Sequence, residues 1–167
     1  TFKKEAAEKI KAELDNSRLD AEEKRRRAKI LRDLENSMEG FSHSVKEIVK
    51  QSETGTLRGI CGPVSKLISV EKQYGVAVET ALAAAIQNII VETEADAKRA
   101  IGYLKSTGGG RATFLPVATI KSREFKEHGF EAMAGFVGIA SDLVETDNKY
   151  REIIKYLLGA VVVTEDI

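Results

Sequence analysis

The sequence predicts an α/β (α+β) fold, a small mixed sheet with flanking helices, preceded by a long coiled-coil helix. Three observations carry that reading. Residues 1–36 hold eleven Lys/Arg and nine Asp/Glu and no Gly or Pro, and their Leu, Ile and Ala recur at intervals of three and four. Such a stretch is helical but too polar to bury itself, so it requires a partner helix. Residues 55–167 hold twelve of the thirteen glycines, both prolines and most of the Val and Ile, which is the composition of a compact head. Within that head, short β-branched runs alternate with stretches of helical period, as in layered strands and helices. The organisation that follows is an arm and entry helix over 1–50 and a globular domain over 55–167.

In the arm, Ile30, Leu34, Met38, Phe41, Val45 and Ile48 step by 4, 4, 3, 4 and 3, close to a heptad seam. Ala6, Ile10 and Leu14 continue it less regularly, which suits an antiparallel partner. Gly40 and Phe41 mark a change, and Ser44–Gln51 is read as a short helix leading into the head. Lys24-Arg25-Arg26-Arg27 is in the first instance the solvated face of a helix; contact with DNA phosphates is the other reading.

Leu57–Val70 is strand material broken by Gly59, Gly62 and Pro63, and the proline argues for an edge or a bend. Tyr74, Val78, Ala81, Leu82, Ala85 and Ile86 lie on one helical face, which predicts a single helix ending at Asn88. Ile89-Ile90-Val91 is a buried strand. Thr93 stands three before Asp96, a capping-box spacing that opens a helix with Ala97, Ile101 and Leu104 inward. Gly108-Gly109-Gly110 stops it, and Ala112–Leu115 is a strand closed by Pro116. Residues 117–135 are polar and carry no clear period. Phe136–Val144 holds a short strand. Tyr150, Ile153, Ile154, Leu157 and Leu158 form a helix with Gly159 at its cap, and Val161–Val163 resumes strand character. No repeat of 20–50 residues is evident.

The bulk numbers narrow the chemistry. Charged residues are 31% against an average of about 25%, and the formal net charge is zero. Strong nucleic-acid binding is therefore not expected from overall charge, although a local patch is compatible with it. The single Cys61 excludes an internal disulfide and a multi-cysteine zinc site, as suits a reducing compartment. No apolar run reaches the roughly eighteen residues of a bilayer span, so a cytoplasmic protein with no membrane partner is expected. The run Gly108–Thr113 lacks the spacing and the lysine of a phosphate loop, and it leads from a helix into a strand rather than the reverse. His43 and His128 are isolated. No catalytic residue, cofactor, metal or small-molecule substrate is nominated.

Several runs together resemble a known family. They are Met38-Glu39-Gly40-Phe41, Leu57-Arg58-Gly59-Ile60-Cys61-Gly62-Pro63-Val64, Gln87–Val91, Gly110-Arg111-Ala112-Thr113-Phe114-Leu115-Pro116 and Ala140-Ser141-Asp142-Leu143-Val144. The pattern is similar to the hinge domain of structural maintenance of chromosomes (SMC) proteins, in the prokaryotic condensin-type branch. The resemblance implies a non-catalytic module through which two copies associate as a homodimer, joining the coiled-coil arms of an ATPase whose heads lie outside this chain. It implies an antiparallel returning helix as the arm's partner, roles in chromosome condensation and segregation, a nucleoid-associated location, and weak DNA contact. It further implies two similar halves, of which the first and part of the connection are expected here, with a glycine-rich stretch of the second beyond Ile167. One dimer surface is expected in that stretch and the other at Gly138, Ile139, Ala140, Ser141, Asp142 and Leu143. DNA contacts are expected at Lys24, Arg25, Arg26, Arg27, Lys105, Arg111, Lys121 and Arg123. The alternative reading is a nucleic-acid-binding coiled-coil adaptor that uses the basic arm directly.

Overall fold

A computed structural model describes residues 2–36, 40–122 and 129–165, with side chains left undescribed for 2–7, 30–36 and 130. The chain divides into two units at Gly40. The first contains a single helix, α1 (Phe2–Asn36). Its described side chains are exposed, including the apolar Ile10, Leu14 and Leu19. Of the expected seam, the side chains of Ile30 and Leu34, and Met38 itself, lie outside the described residues. Val45 and Ile48 belong to α2 (His43–Glu53), which is part of the second unit, where both are buried. No described helix is long and apolar enough to cross a membrane.

The second unit is a mixed α/β head built on three small sheets. In the first, β3 (Ile89–Val91) lies between β1 (Ile60–Pro63) and β4 (Phe114–Pro116), antiparallel to β1 and parallel to β4. Its run of Ile and Val is fully buried, as befits a central strand covered on both faces. Strand β2 (Ile68–Val70) pairs antiparallel with β6 (Val144–Thr146), and β5 (Phe136–Ile139) with β7 (Val162–Thr164). Pro63 ends β1, at an edge of its sheet, as expected of a proline. One core joins all three sheets, with Val64, Val78, Leu82, Ile90 and Leu115 packed with Val144, Ile153, Ile154, Leu158 and Val163.

Helix α4 (Glu94–Thr107) begins on the expected capping box. Thr93 Oγ1 accepts from the Asp96 amide, and the Asp96 carboxylate accepts from the Thr93 amide. It ends at Gly108, whose φ of 65° is left-handed and whose N–H donates a hydrogen bond to the Leu104 carbonyl. Helix α5 (Arg151–Leu158) likewise follows its predicted face.

Two expectations are modified. The helix predicted through Ile86 ends earlier: α3 spans Gly75–Leu82, and residues 83–87 continue as a 3-10 turn. The strand predicted over Phe136–Val144 is β5 and the start of β6, separated by a 3-10 turn at Ala140–Leu143.

The head also contains an internal repetition. The order strand, 3-10 turn, strand, 3-10 turn, helix, strand occurs twice, with an added 3-10 turn over 83–87 before the closing strand of the first. The starts of β1 and β5 (60 and 136), β2 and β6 (68 and 144), and α3 and α5 (75 and 151) keep one spacing of 76. Both β1 and β5 carry a register shift at the same place, between Ile60 and Gly62 and between Phe136 and Gly138. In the β2–β6 pair, Ser69 lies opposite Glu145, its own counterpart. An internal two-fold axis therefore passes between the two strands. Residues 136–164 are thus more than a connection, because the head enters its second half at Phe136. Helix α4 and β4 have no counterpart among the described residues of that half.

Candidate functional site

The expected dimer segment 138–143 lies where the second half begins. Ala140 and Ser141 are buried, Gly138 and Ile139 half-buried in β5, and Leu143 packs on the core; only Asp142 is exposed. The side chains of this run therefore mostly support the fold, and what it offers outward is backbone. The Ala140 amide donates to the Val161 carbonyl at 2.8 Å. By the alternation of an antiparallel ladder, the Ile139 N–H points away from β7. That outer edge of β5 has no strand partner among the described residues. An unpaired edge is a template for another chain.

The expected DNA contacts do not form one cluster. Lys24, Arg25, Arg26 and Arg27 are all exposed on α1, and two of them are already paired, Lys24 with Asp20 (2.7 Å) and Arg27 with Glu23 (2.5 Å). On the head, Lys105 is exposed in the last turn of α4. Arg111 follows in the loop, exposed, and lines an open cleft of about 410 Å³ with Ser42, Gln87, Asn88 and Thr113. Its carbonyl accepts the Ser44 hydroxyl at 2.5 Å, tying the loop to α2. Lys121 stands elsewhere, near α5, where its charge helps to lower the Glu152 carboxyl. The larger cause of that lowering is the pair of hydrogen bonds from the Ser122 amide and hydroxyl (3.0 and 2.8 Å). Arg123 lies outside the described residues.

A second group of polar side chains was not legible in the sequence. Lys149 Nζ bonds Glu92 Oε1 at 2.5 Å, and Cys61 Sγ donates to the same oxygen at 3.9 Å. The Lys149 ammonium also sits 5.7 Å from the centre of the Tyr150 ring. Burial pushes the Cys61 thiol up, away from the reactive thiolate, and the bond to Glu92 raises Lys149. Glu92 and Cys61 belong to the first half and Lys149 to the second, so the group is a clasp between them. No local motif signals it, because Cys61, Glu92 and Lys149 stand far apart in the sequence. A further clasp joins α2 to α4, where Tyr103 Oη donates to Glu47 Oε1 at 2.6 Å; that bond lowers the carboxyl and raises the phenol. Among the described residues, no three His, Cys, Asp or Glu side chains gather as metal ligands would.

Comparison with known proteins gives this geometry a setting. Residues 57–167 match the family model described as the SMC proteins flexible hinge domain. The chain is 39% identical to the chromosome partition protein Smc of Bacillus subtilis over 99% of its own length, which is 14% of that relative. It is 35% identical to the protein of the same name from Methanocaldococcus jannaschii, over 98% of this chain and 13% of that one. Among solved structures, an asymmetric dimer of the Geobacillus stearothermophilus SMC hinge domain is similar with a TM-score of 0.78 and 42% identity, covering 96% of this chain and 64% of that one. The Pyrococcus furiosus Smc hinge domain with an extended coiled coil is similar with a TM-score of 0.63 and 31% identity, covering 75% and 43%.

Proposed function

The chain belongs to the SMC flexible-hinge family, and we propose that it is the association module of a chromosome-partition protein, joining two coiled-coil arms without catalysing a reaction itself. In this reading α1 is part of one arm and pairs with an antiparallel returning helix, which would cover its exposed Ile10, Leu14 and Leu19. The arms lead to ATPase heads outside this chain, and the working place is the nucleoid in the cytoplasm. A second copy docks along the outer edge of β5, with Asp142 at the margin of the contact. The observation that supports this most is the unpaired β5 edge, whose Ile139 N–H faces away from its own sheet. Light scattering on the 18.3 kDa chain tests it. The expected mass rises toward twice that value with concentration; a mass fixed at one chain at every concentration would contradict it.

DNA contact is a subsidiary reading, supported by the four consecutive exposed cations on α1 and by Arg111 at the cleft beside α2. With zero net charge, binding rests on a few phosphate contacts and falls steeply with salt. Charge reversal of Lys24, Arg25, Arg26 and Arg27 together with Lys105, Arg111, Lys121 and Arg123 is expected to abolish it. Affinity unchanged by that reversal would dismiss these residues as the contact.

A further inference from the structure

The segment 77–87, Ala-Val-Glu-Thr-Ala-Leu-Ala-Ala-Ala-Ile-Gln, is rich in strong helix formers and contains neither Gly nor Pro. The helix nevertheless breaks inside it. Ala83 adopts φ 45°, ψ −125°, the one non-glycine residue at positive φ among the described residues. These are the angles of the first central position of a type II′ turn, where glycine is the usual occupant because a β-carbon crowds the backbone. In the second half the matching position is Gly159, which stands in the ordinary right-handed region at φ −68°. Glycine thus occupies a site of ordinary φ, where a β-carbon would crowd the Lys155 carbonyl, and alanine occupies the one at positive φ. Local preference and fold disagree at Ala83, and a residue held against its preference is held by its surroundings.

Those surroundings include the start of α2. Beyond Ala83 the chain runs as a 3-10 turn to Gln87, whose Oε1 accepts the Ser42 amide at 2.8 Å. Ser42 is the N-cap of α2, yet its hydroxyl caps no amide and instead bonds the Ser44 hydroxyl at 3.1 Å. The Asn88 carbonyl accepts the Val64 amide at 2.9 Å, which fixes the far end of the turn. An uninterrupted α-helix through Gln87 would rise about 1.5 Å per residue instead of about 2.0 Å and rotate each side chain differently. Gln87 would then no longer face Ser42.

We propose that residues 83–87 are a two-state element. Its broken form pins the first turn of α2 through Gln87, and its continuous-helix form releases that turn. The strain at Ala83 keeps the two forms close in free energy, so the entry of the chain into the head and the end of α3 respond together. This coupling is independent of which surface a second copy uses.

Ala83→Gly removes the crowding and should favour the broken form, since the relief exceeds the greater freedom glycine gives the unfolded chain. Hydrogen exchange on the 167-residue chain, with and without Ala83→Gly, in the native and the Gln87→Ala backgrounds, tests the idea. With Gln87 present, Ala83→Gly should slow exchange roughly three- to tenfold over both 83–88 and 42–46. In the Gln87→Ala background the slowing should be confined to 83–88. Exchange at 83–88 that is unchanged or faster in Ala83→Gly would show that Ala83 is not strained. Slowing at 83–88 alone with Gln87 present, or equal slowing at 42–46 without it, would overturn the coupling.

Discussion

Gly59 shows how one residue can hold two distant elements together. Its φ of 75° is in the left-handed region, and a β-carbon there would overlap the Asp96 carboxylate. That carboxylate already accepts from the Thr93 amide and hydroxyl (3.0 and 2.5 Å) and pairs with Arg99. The Gly59 carbonyl meanwhile accepts the Glu92 amide at 2.8 Å. Gly59→Ala therefore meets an unfavourable backbone conformation and a displaced capping box at once. Its expected cost is about 2–4 kcal/mol, against about 1 kcal/mol for Thr93→Ala, which loses the two bonds of the Thr93 hydroxyl to Asp96. Denaturant unfolding of the two variants checks this, and equal losses would contradict it. The capping box was legible because Thr93 and Asp96 are three apart in sequence. The role of Gly59 was not, since the side chain it must avoid lies on a helix far along the chain.

At the scale of elements, two helices of this chain owe their stability to different things. α1 is long and highly charged, and its described side chains are exposed, with support from i,i+4 pairs such as Lys24–Asp20 that each contribute a few tenths of a kcal/mol. α4 is short but capped at both ends, and it buries Ala97, Ala100 and Leu104. Hydrogen exchange in dilute solution should therefore be fast over residues 8–29 and slow over 94–107. Equal protection would mean that α1 is covered by another helix or chain. Such differences between elements could be read in advance where period and caps agreed, as in α4 and α5, although Ile101, expected to face inward on α4, is exposed. They could not where tertiary contacts override propensity. The apolar spacing through Val45 and Ile48 looked like a continuing seam, but those side chains fill the head. The alanine-rich run after Leu82 looked like helix but turns at Ala83.

The whole head is two related halves sharing one core, and this was the least legible feature of all. The halves keep Gly59 and Gly135, Gly62 and Gly138, Ser65 and Ser141, Leu67 and Leu143, Tyr74 and Tyr150, Leu82 and Leu158, and Ala84 and Ala160. Elsewhere the paired residues differ, and those of the core, such as Ile68 and Val144 or Val78 and Ile154, stay apolar because a core accepts many residues of similar volume. The family resemblance rested on local runs and did not depend on seeing this repetition. The repetition supplies the most direct test of the association account. Pro63 in β1 occupies the position of Ile139 in β5, so this backbone accepts proline there: φ is −71° at Pro63 and −81° at Ile139. Ile139→Pro deletes the one N–H inferred to face outward from β5 without removing a bond to β7. Sedimentation equilibrium on the chain and on Ile139→Pro, with thermal unfolding to confirm that the fold persists, is the deciding measurement. If the outer edge of β5 receives the second copy, the variant should stay folded while its dimer dissociation constant rises at least about tenfold, the equivalent of about 1.4 kcal/mol. A folded variant that dimerises as tightly as the original chain would contradict the account.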